Sequence, residues 1–352
     1  MSKNLKVGIV GVGGISNTHL PGWEASEHAE IVAGCDIQEE ILSDWGKKHG
    51  VKKLVTDHTE LFSDPDIDII DVCVPNMYHA PLSIAALEAG KHVICEKPLA
   101  PTPEDIQRMI EARDRSGKML MTAQHFRFQG NSKAMKAEID KGILGDIYHA
   151  RSWMIRRWGA PTGSGFVLKK NSGGGPCIDI GVHILDLTLW LMGNPNPVAI
   201  SGVAAAPLAK QEGAFTGWGK ADMPKEFDVE DYAVAFVRFD NGATLVIEVS
   251  WLMHHRTTGE DMQMWLYGTK AGCHWPKCEF LWSDNQAKEF HEKELTEFPE
   301  TLEAHAQECV EFAQAIVDGA PSPVPAEQSK QVLSILDGIY KSQESGKEIQ
   351  IG

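Results

Sequence analysis

An α/β domain on a parallel sheet, followed by an α+β domain with an open-faced, mostly antiparallel sheet, is the fold class this sequence predicts. Three observations carry it. From Leu5 to about Thr122, short β-branched runs alternate with amphipathic stretches, the rhythm of βα units that feed a parallel sheet. A glycine turn, Gly11-Val12-Gly13-Gly14, follows the first of these runs directly. After Gln124 the rhythm changes to longer strands of alternating polarity. At 352 residues the chain also exceeds the size at which one hydrophobic core stops growing. The expected division is residues 1–123 and residues 124–352.

Taken in order, the first domain's strands are read as Lys6 to Val10, Glu30 to Cys35, Ile67 to Val74, His92 to Cys95 and Met119 to Thr122, with a weaker one near Leu54. Helices are expected from Gln38 to His49, Pro81 to Ala89 and Pro103 to Ser116. Each stops at a glycine, Gly50, Gly90 or Gly117, where a left-handed residue closes a helix. In the second domain, strands are expected over Ile147 to Trp158, Val198 to Ala204, Asp231 to Phe239, Ala243 to Trp251 and Gln263 to Tyr267, with Asn241-Gly242 as a hairpin turn. Pro207 to Glu226 reads as a long loop. Two final helices, Thr301 to Val317 and Ala326 to Ser345, either cover the second sheet or return to the first domain.

The bulk numbers narrow the function classes. A net charge of −16 lacks the clustered Lys and Arg that nucleic acid or an anionic membrane requires, and a neutral or cationic substrate suits it better. The seven cysteines are too scattered for a disulfide framework. Cys35, Cys73 and Cys95 end strand-like runs and read as buried thiols of a reducing compartment. Met1 to Lys6 precede only a short apolar run, so neither a signal peptide nor a membrane span is expected, and the cytoplasm is the expected location.

The glycine turn, continuing into Ile15 and Ser16, has the tight bend and close backbone approach that a pyrophosphate needs at a helix N-terminus. Gly11, Gly13, Gly14 and Ile15 are therefore candidate cofactor contacts. Asp36 ends the second strand about twenty residues on, where a carboxylate accepts ribose hydroxyls and repels a 2′-phosphate. NAD is favoured over NADP. Pro75, Asn76 and His79 after one strand, and Glu96-Lys97-Pro98 after the next, lie at the same carboxyl edge and complete the expected dinucleotide site of a Rossmann domain. The plainer alternative is a turn without a ligand, with Asp36 capping a helix.

Lys97, between Glu96 and the rigid Pro98, is the first candidate for the reacting centre, although a lysine after a strand is often a solvated surface charge. The second is Asp179 with His183. Pro176 opens a helix that is expected to put the two on one face, so that the carboxylate fixes the imidazole tautomer and raises its basicity. Asp186 continues that face. The preceding run, Gly173-Gly174-Gly175, suggests a crowded ligand, while a histidine on an apolar helix also reads as an ordinary core residue. His125, Arg127, Arg156 and Trp158 are candidate substrate contacts, because fixed donors and an aromatic face suit a sugar ring.

With these motifs in place, the chain resembles the glucose-fructose oxidoreductase, inositol dehydrogenase and rhizopine catabolism (Gfo/Idh/MocA) family along nearly its whole length. The glycine turn, Glu-Lys-Pro at Glu96 to Pro98 and Asp-x-x-x-His at Asp179 and His183 carry the resemblance. It implies an NAD-dependent oxidoreductase acting on sugar hydroxyls, with the nicotinamide above Lys97, His183 as acid or base, and a homo-oligomer (dimer, tetramer or hexamer) formed through the second sheet. Arg156-Arg157-Trp158-Gly159 and Val229-Glu230-Asp231 look most like NAD-dependent glycoside 3-dehydrogenases within the family. Those relatives continue the arginine pair through Pro-Gly-Trp-Gly, whereas this chain has Ala160-Pro161-Thr162-Gly163. An inositol dehydrogenase, a redox-neutral NAD-dependent glycosidase and a dinucleotide-sensing binding protein are the alternatives.

Cys273-His274-Trp275-Pro276-Lys277-Cys278 invites a metal reading, but it lacks a second ligand pair, so no metal is expected. His254-His255 follow the strand expected to end at Trp251; if the strand continues, adjacent side chains point to opposite faces and only one can line a pocket.

Overall fold

A computed structural model describes residues 5–351. The amino-terminal stretch read as free of a leader falls partly on residues 1–4, outside the described residues. Among the described residues, no helix is long and apolar enough to cross a membrane.

The elements run β1 (Leu5–Val10), α1 (Ser16–Ala25), β2 (Ala29–Cys35), α2 (Glu39–His49), β3 (Lys53–Val55), α3 (Thr59–Phe62), β4 (Ile69–Val72), α4 (His79–Glu88), β5 (His92–Cys95), α5 (Pro103–Ser116) and β6 (Leu120–Thr122). They continue with α6 (Gly130–Asp140), β7 (Ile147–Arg156), α7 (Ser164–Val167), α8 (Lys169–Ser172), α9 (Pro176–Asp179), α10 (Gly181–Leu191), β8 (Pro197–Ala205), β9 (Tyr232–Phe239) and β10 (Thr244–Ser250). The last are β11 (Glu260–Gly268), β12 (Ala271–Trp275), β13 (Glu279–Asp284), β14 (Glu289–Glu294), α11 (Ala304–Asp318), α12 (Ala326–Ser345) and β15 (Ile349–Gln350). Two compact units result: Met1–Phe128 with Thr301–Lys330, and Gln129–Glu300 with Gln331–Gly352.

Unit 1 holds a six-stranded parallel sheet in the order β3-β2-β1-β4-β5-β6. Its strands are buried on both faces, as expected of short β-branched runs, and Val7, Ile9, Ile69 and Ile94 share a core with Leu20, Trp23 and Phe312. The strand order reverses between β1 and β4, which opens a crevice at their carboxyl ends. Gly50, Gly90 and Gly117 take the expected left-handed conformation after α2, α4 and α5. Of the final helices, α11 belongs to this unit: it lies so close to α1 that a Cβ at Gly22 would strike the Ala306 backbone.

Unit 2 holds a nine-stranded sheet, β14-β13-β12-β11-β7-β10-β9-β8-β15, antiparallel except where β7 pairs with β10. Ala233, Ala235 and Val237 of β9 and Leu245, Ile247 and Val249 of β10 give it a buried face. The nearly all-apolar α10 packs against β7 and β10, and Gly338 of α12 packs against Ile200 of β8. Gly242, at φ 85°, makes the β9–β10 turn. The strands β12 to β15 went unread in the sequence. In Glu289–Glu294 almost every residue is exposed, so no buried face writes a period of two into the sequence.

Candidate active site

The glycine turn in unit 1 divides by function. Gly11 sits at φ +88° and a Cβ there would strike the Cys73 carbonyl oxygen, so the fold itself requires glycine. A Cβ at Gly13 or Gly14 would meet nothing within 4 Å. Protein packing gives no reason for glycine at either position, whereas the pyrophosphate of a dinucleotide does. Ser16, in the third glycine position, is buried and turns its hydroxyl onto the Gly13 carbonyl at 2.8 Å. Asp36 accepts the Val12 N–H at 3.1 Å and the Gln38 N–H at 2.9 Å, one on each carboxylate oxygen. Each oxygen keeps acceptor capacity for a ribose hydroxyl, so these residues fit NAD. Pro75 and Asn76 open a short 3₁₀ turn after β4, with Pro75 exposed.

Beneath the Glu-Lys-Pro segment lies a buried ionic network that the sequence reading missed. His19 of α1, 0% exposed, puts Nδ1 3.0 Å from Asp71 and Nε2 3.0 Å from Glu96. Trp23 Nε1 donates to Asp71 at 2.8 Å. Burial is the largest influence and opposes a charge on His19, but Asp71 together with the Cys309 and Cys73 sulfurs overcomes it and holds the imidazole well above its ordinary pKa. Burial likewise pushes Glu96 up, and the hydrogen bond and charge of His19 override this, bringing the carboxyl down to about 2. The other Glu96 oxygen accepts the Lys97 backbone N–H at 2.9 Å. A buried ion pair thus fixes the strand end that carries Lys97. His19 also joins Asp71 and Cys309, and separately Glu96 and Glu308, in two groups of metal-ligand spacing. It offers a different ring nitrogen to each carboxylate of its close pairs, as an imidazolium does.

Other expected contacts stand in different places. His79, expected at the cofactor, is buried with Nδ1 2.7 Å from the Pro98 carbonyl and Nε2 2.8 Å from that of Val74, so it clips two strand-end loops together. Arg127, expected at the substrate, is 3% exposed and donates to Gln328 at 2.5 Å. His125 stacks on His305 of α11 with ring centroids 3.8 Å apart. Burial first, and His305 second, lower His125 to about 3, so it is neutral at pH 7 and offers a ring nitrogen as acceptor. His305 is a further residue the sequence reading missed, because α11 lies some 180 residues from His125 and no local pattern links them.

In unit 2, Asp179 and His183 do not share one continuous helix. α9 ends at Asp179, Ile180 breaks it at φ −109°, and α10 begins at Gly181. Of the glycine run before them, Gly173, at φ +85°, meets nothing within 4 Å, but Gly174 and Gly175 face protein. A Cβ at Gly174 would strike the Tyr340 hydroxyl, and one at Gly175 the Glu230 carbonyl. Glu230 is the reason: its carboxylate accepts the Gly175 and Cys177 N–H groups at 3.0 Å each and the Tyr340 hydroxyl at 2.9 Å, capping α9. Asp179 accepts from Trp251 Nε1 at 3.2 Å and lies 4.0 Å from Arg156 Nη1. His183 is 7% exposed. Arg156 also bonds Glu260 at 2.5 Å, and Trp158 stacks on Phe215 at 5.2 Å. Arg156 and Asp179 therefore lie together, a fixed guanidinium beside a carboxylate, and Trp158 lines the same cavity as Arg156.

Residues 5–124 match the oxidoreductase family with an NAD-binding Rossmann fold, and residues 132–274 match the Gfo/Idh/MocA C-terminal domain. The chain is 28% identical over 355 residues to D-glucoside 3-dehydrogenase of Escherichia coli strain K12, covering 99% of this chain and 98% of that one. It is 30% identical over 272 residues to levoglucosan dehydrogenase of Pseudarthrobacter phenanthrenivorans, covering 72% and 69%. A solved levoglucosan dehydrogenase in complex with NADH and L-sorbose superposes with a TM-score of 0.85 at 25% identity, covering 99% of each chain.

Proposed function

The chain belongs to the Gfo/Idh/MocA family of oxidoreductases, and from that premise we propose that it oxidises a secondary hydroxyl of a sugar or glycoside, at C3, to a 3-keto-glycoside. The observation that carries the reading is the unit 2 cluster: Asp179 held by Trp251 beside Arg156, with His183 buried just beyond the break at Ile180. The likeness to D-glucoside 3-dehydrogenase over 99% of the chain supports the choice of glycoside and carbon. When bound, NAD supplies the hydride acceptor. His183 takes the hydroxyl proton and Asp179 biases its tautomer. Lys97, on a backbone fixed by Glu96, is the unit 1 residue we assign to hydrogen-bonding the substrate oxygen. Neutral His125 accepts from a neighbouring hydroxyl. Seven free, buried thiols and a net charge of −16 support a cytoplasmic enzyme with an uncharged partner.

The test is a panel of glycosides, free sugars and inositols, followed by NADH formation and by identification of the keto product. The expected outcome is NADH release with 3-keto products. Replacing His183 or Lys97 by Ala is expected to lower kcat by about 10²–10⁴ while NADH titration still shows binding. Wild-type turnover in both variants overturns the residue assignment, and an inositol preference overturns the substrate.

A further inference from the structure

Beside the Asp179 cluster, wholly within unit 2, lies a cavity of about 450 Å³. Its walls come from three separate segments. The end of β7 and the residues just after it contribute Arg156 and Trp158, the long loop after β8 contributes Trp218, and the approach to β11 with its first residue contributes Thr258 and Glu260. The long loop is pinned in place. Gly217 N–H donates to the Trp158 carbonyl at 2.8 Å, Phe215 lies parallel to Trp158, and a Cβ at Gly217 would come 2.7 Å from that carbonyl oxygen. Asp231 accepts the Leu208 N–H at 2.8 Å and holds the loop's beginning. A loop fixed at its base and near its tip is built to present Trp218, which is 54% exposed.

We infer that this cavity is a second-ring subsite: it takes the sugar ring attached to the one being oxidised, so that the substrate is a disaccharide or a longer glycoside. The inference rests on the function proposed above and specifies its substrate. The volume lies within the roughly 300–1,000 Å³ of small-molecule sites. Its location fits a neighbouring ring rather than the reacting one. Neither Asp179 nor His183 lines the cavity, yet Arg156, which does, reaches to 4.0 Å from Asp179. The chemistry fits a ring with apolar faces and a hydroxyl edge. The indole of Trp218 gives a plate, backed by the Arg156 guanidinium at 5.2 Å. Thr257, Thr258, Arg157 and Glu260 give donors and acceptors around it. A phosphate would face the Glu260 carboxylate, and Arg156 is already committed to Glu260. A plain aryl group would leave the polar rim without partners.

The experiment compares kcat/KM for cellobiose and maltose with kcat/KM for methyl and phenyl glucosides, in the wild type and in Trp218→Ala. The ratio of disaccharide to methyl glucoside is expected to fall about tenfold or more, the loss of one aromatic plate. Thr258→Val, on a separate wall segment, is expected to lower the same ratio about threefold, so the outcome does not hang on one loop residue. An unchanged ratio in both variants overturns the subsite, and so does a larger loss with phenyl glucoside than with either disaccharide. If no sugar is oxidised at all, the proposed function fails. Calorimetric binding of cellobiose and maltose then still tests the cavity: binding weakened by Trp218→Ala supports it, and equal binding overturns it.

Discussion

Two glycine runs, Gly11 to Gly14 in unit 1 and Gly173 to Gly175 in unit 2, look alike in the sequence, and the structure separates them. Both precede a helix and both suggest close approach of a ligand. In the first, Gly13 and Gly14 face open space. In the second, Gly174 and Gly175 are filled by Tyr340 and Glu230, which lie on other elements of the same unit. A glycine in a sequence reports that something comes close to the backbone, but not whether that something is a cofactor or the protein itself.

The sharpest way to break this comparison is to add one methyl group to each run. Gly175→Ala is expected to cost several kcal/mol, because the new Cβ meets backbone that cannot yield and the Glu230 cap of α9 is displaced. Thermal unfolding would show a Tm fall of about 10 °C or more, or no folded protein. Gly13→Ala is expected to leave Tm within about 1–2 °C and to weaken NADH binding about tenfold or more, since its methyl enters the space left for the pyrophosphate. If Gly13→Ala unfolds the protein, or Gly175→Ala spares it, the two runs do not differ as described.

What the sequence made legible follows the same line. The parallel sheet, three helix stops and the Asp36 position were readable because each is written in local periodicity or in the conformational needs of one residue. His79 and Arg127 were misplaced because a polar residue near a strand end looks the same in sequence whether it faces a ligand or clips two loops. His19, His305 and Tyr340 went unread, and the capping role of Glu230 with them, because their partners lie tens to hundreds of residues away, and only the fold brings them together. The break at Ile180 was hidden for a different reason: an apolar residue between two helical turns carries no mark of a helix end.

A smaller effect sharpens the reading of the open run. Asp36 spends one oxygen on Val12 and the other on Gln38, both backbone donors. Asp36→Ala removes both the ribose acceptor and the charge that repels a 2′-phosphate. The preference for NAD over NADP is expected to fall about tenfold, read as the ratio of kcat/KM values. A ratio unchanged within twofold would assign Asp36 to holding the glycine turn alone.

The two regions also hold buried carboxylates of opposite habit, and acid titration tells them apart. Burial raises Glu230, and its backbone and Tyr340 partners only partly offset this. Its contribution is therefore present at low pH and is lost as the pH rises through its raised folded value. Burial also pushes up Glu96, but His19 prevails and brings it to about 2 from the ordinary 4.5. Its ionised form stabilises unit 1 fully above that ordinary value, and the stabilisation drains away as the pH falls through about 2. Glu96→Gln removes this titration while keeping the side chain's size. Between about pH 5 and pH 3 the wild type is expected to lose a few degrees of Tm more than the variant does. The variant starts lower at pH 7, because His19 has lost a charged partner. Parallel acid profiles would mean that Glu96 carries no more charge-dependent stability than an exposed glutamate, and that the segment bearing Lys97 is fixed by something other than the His19 pair.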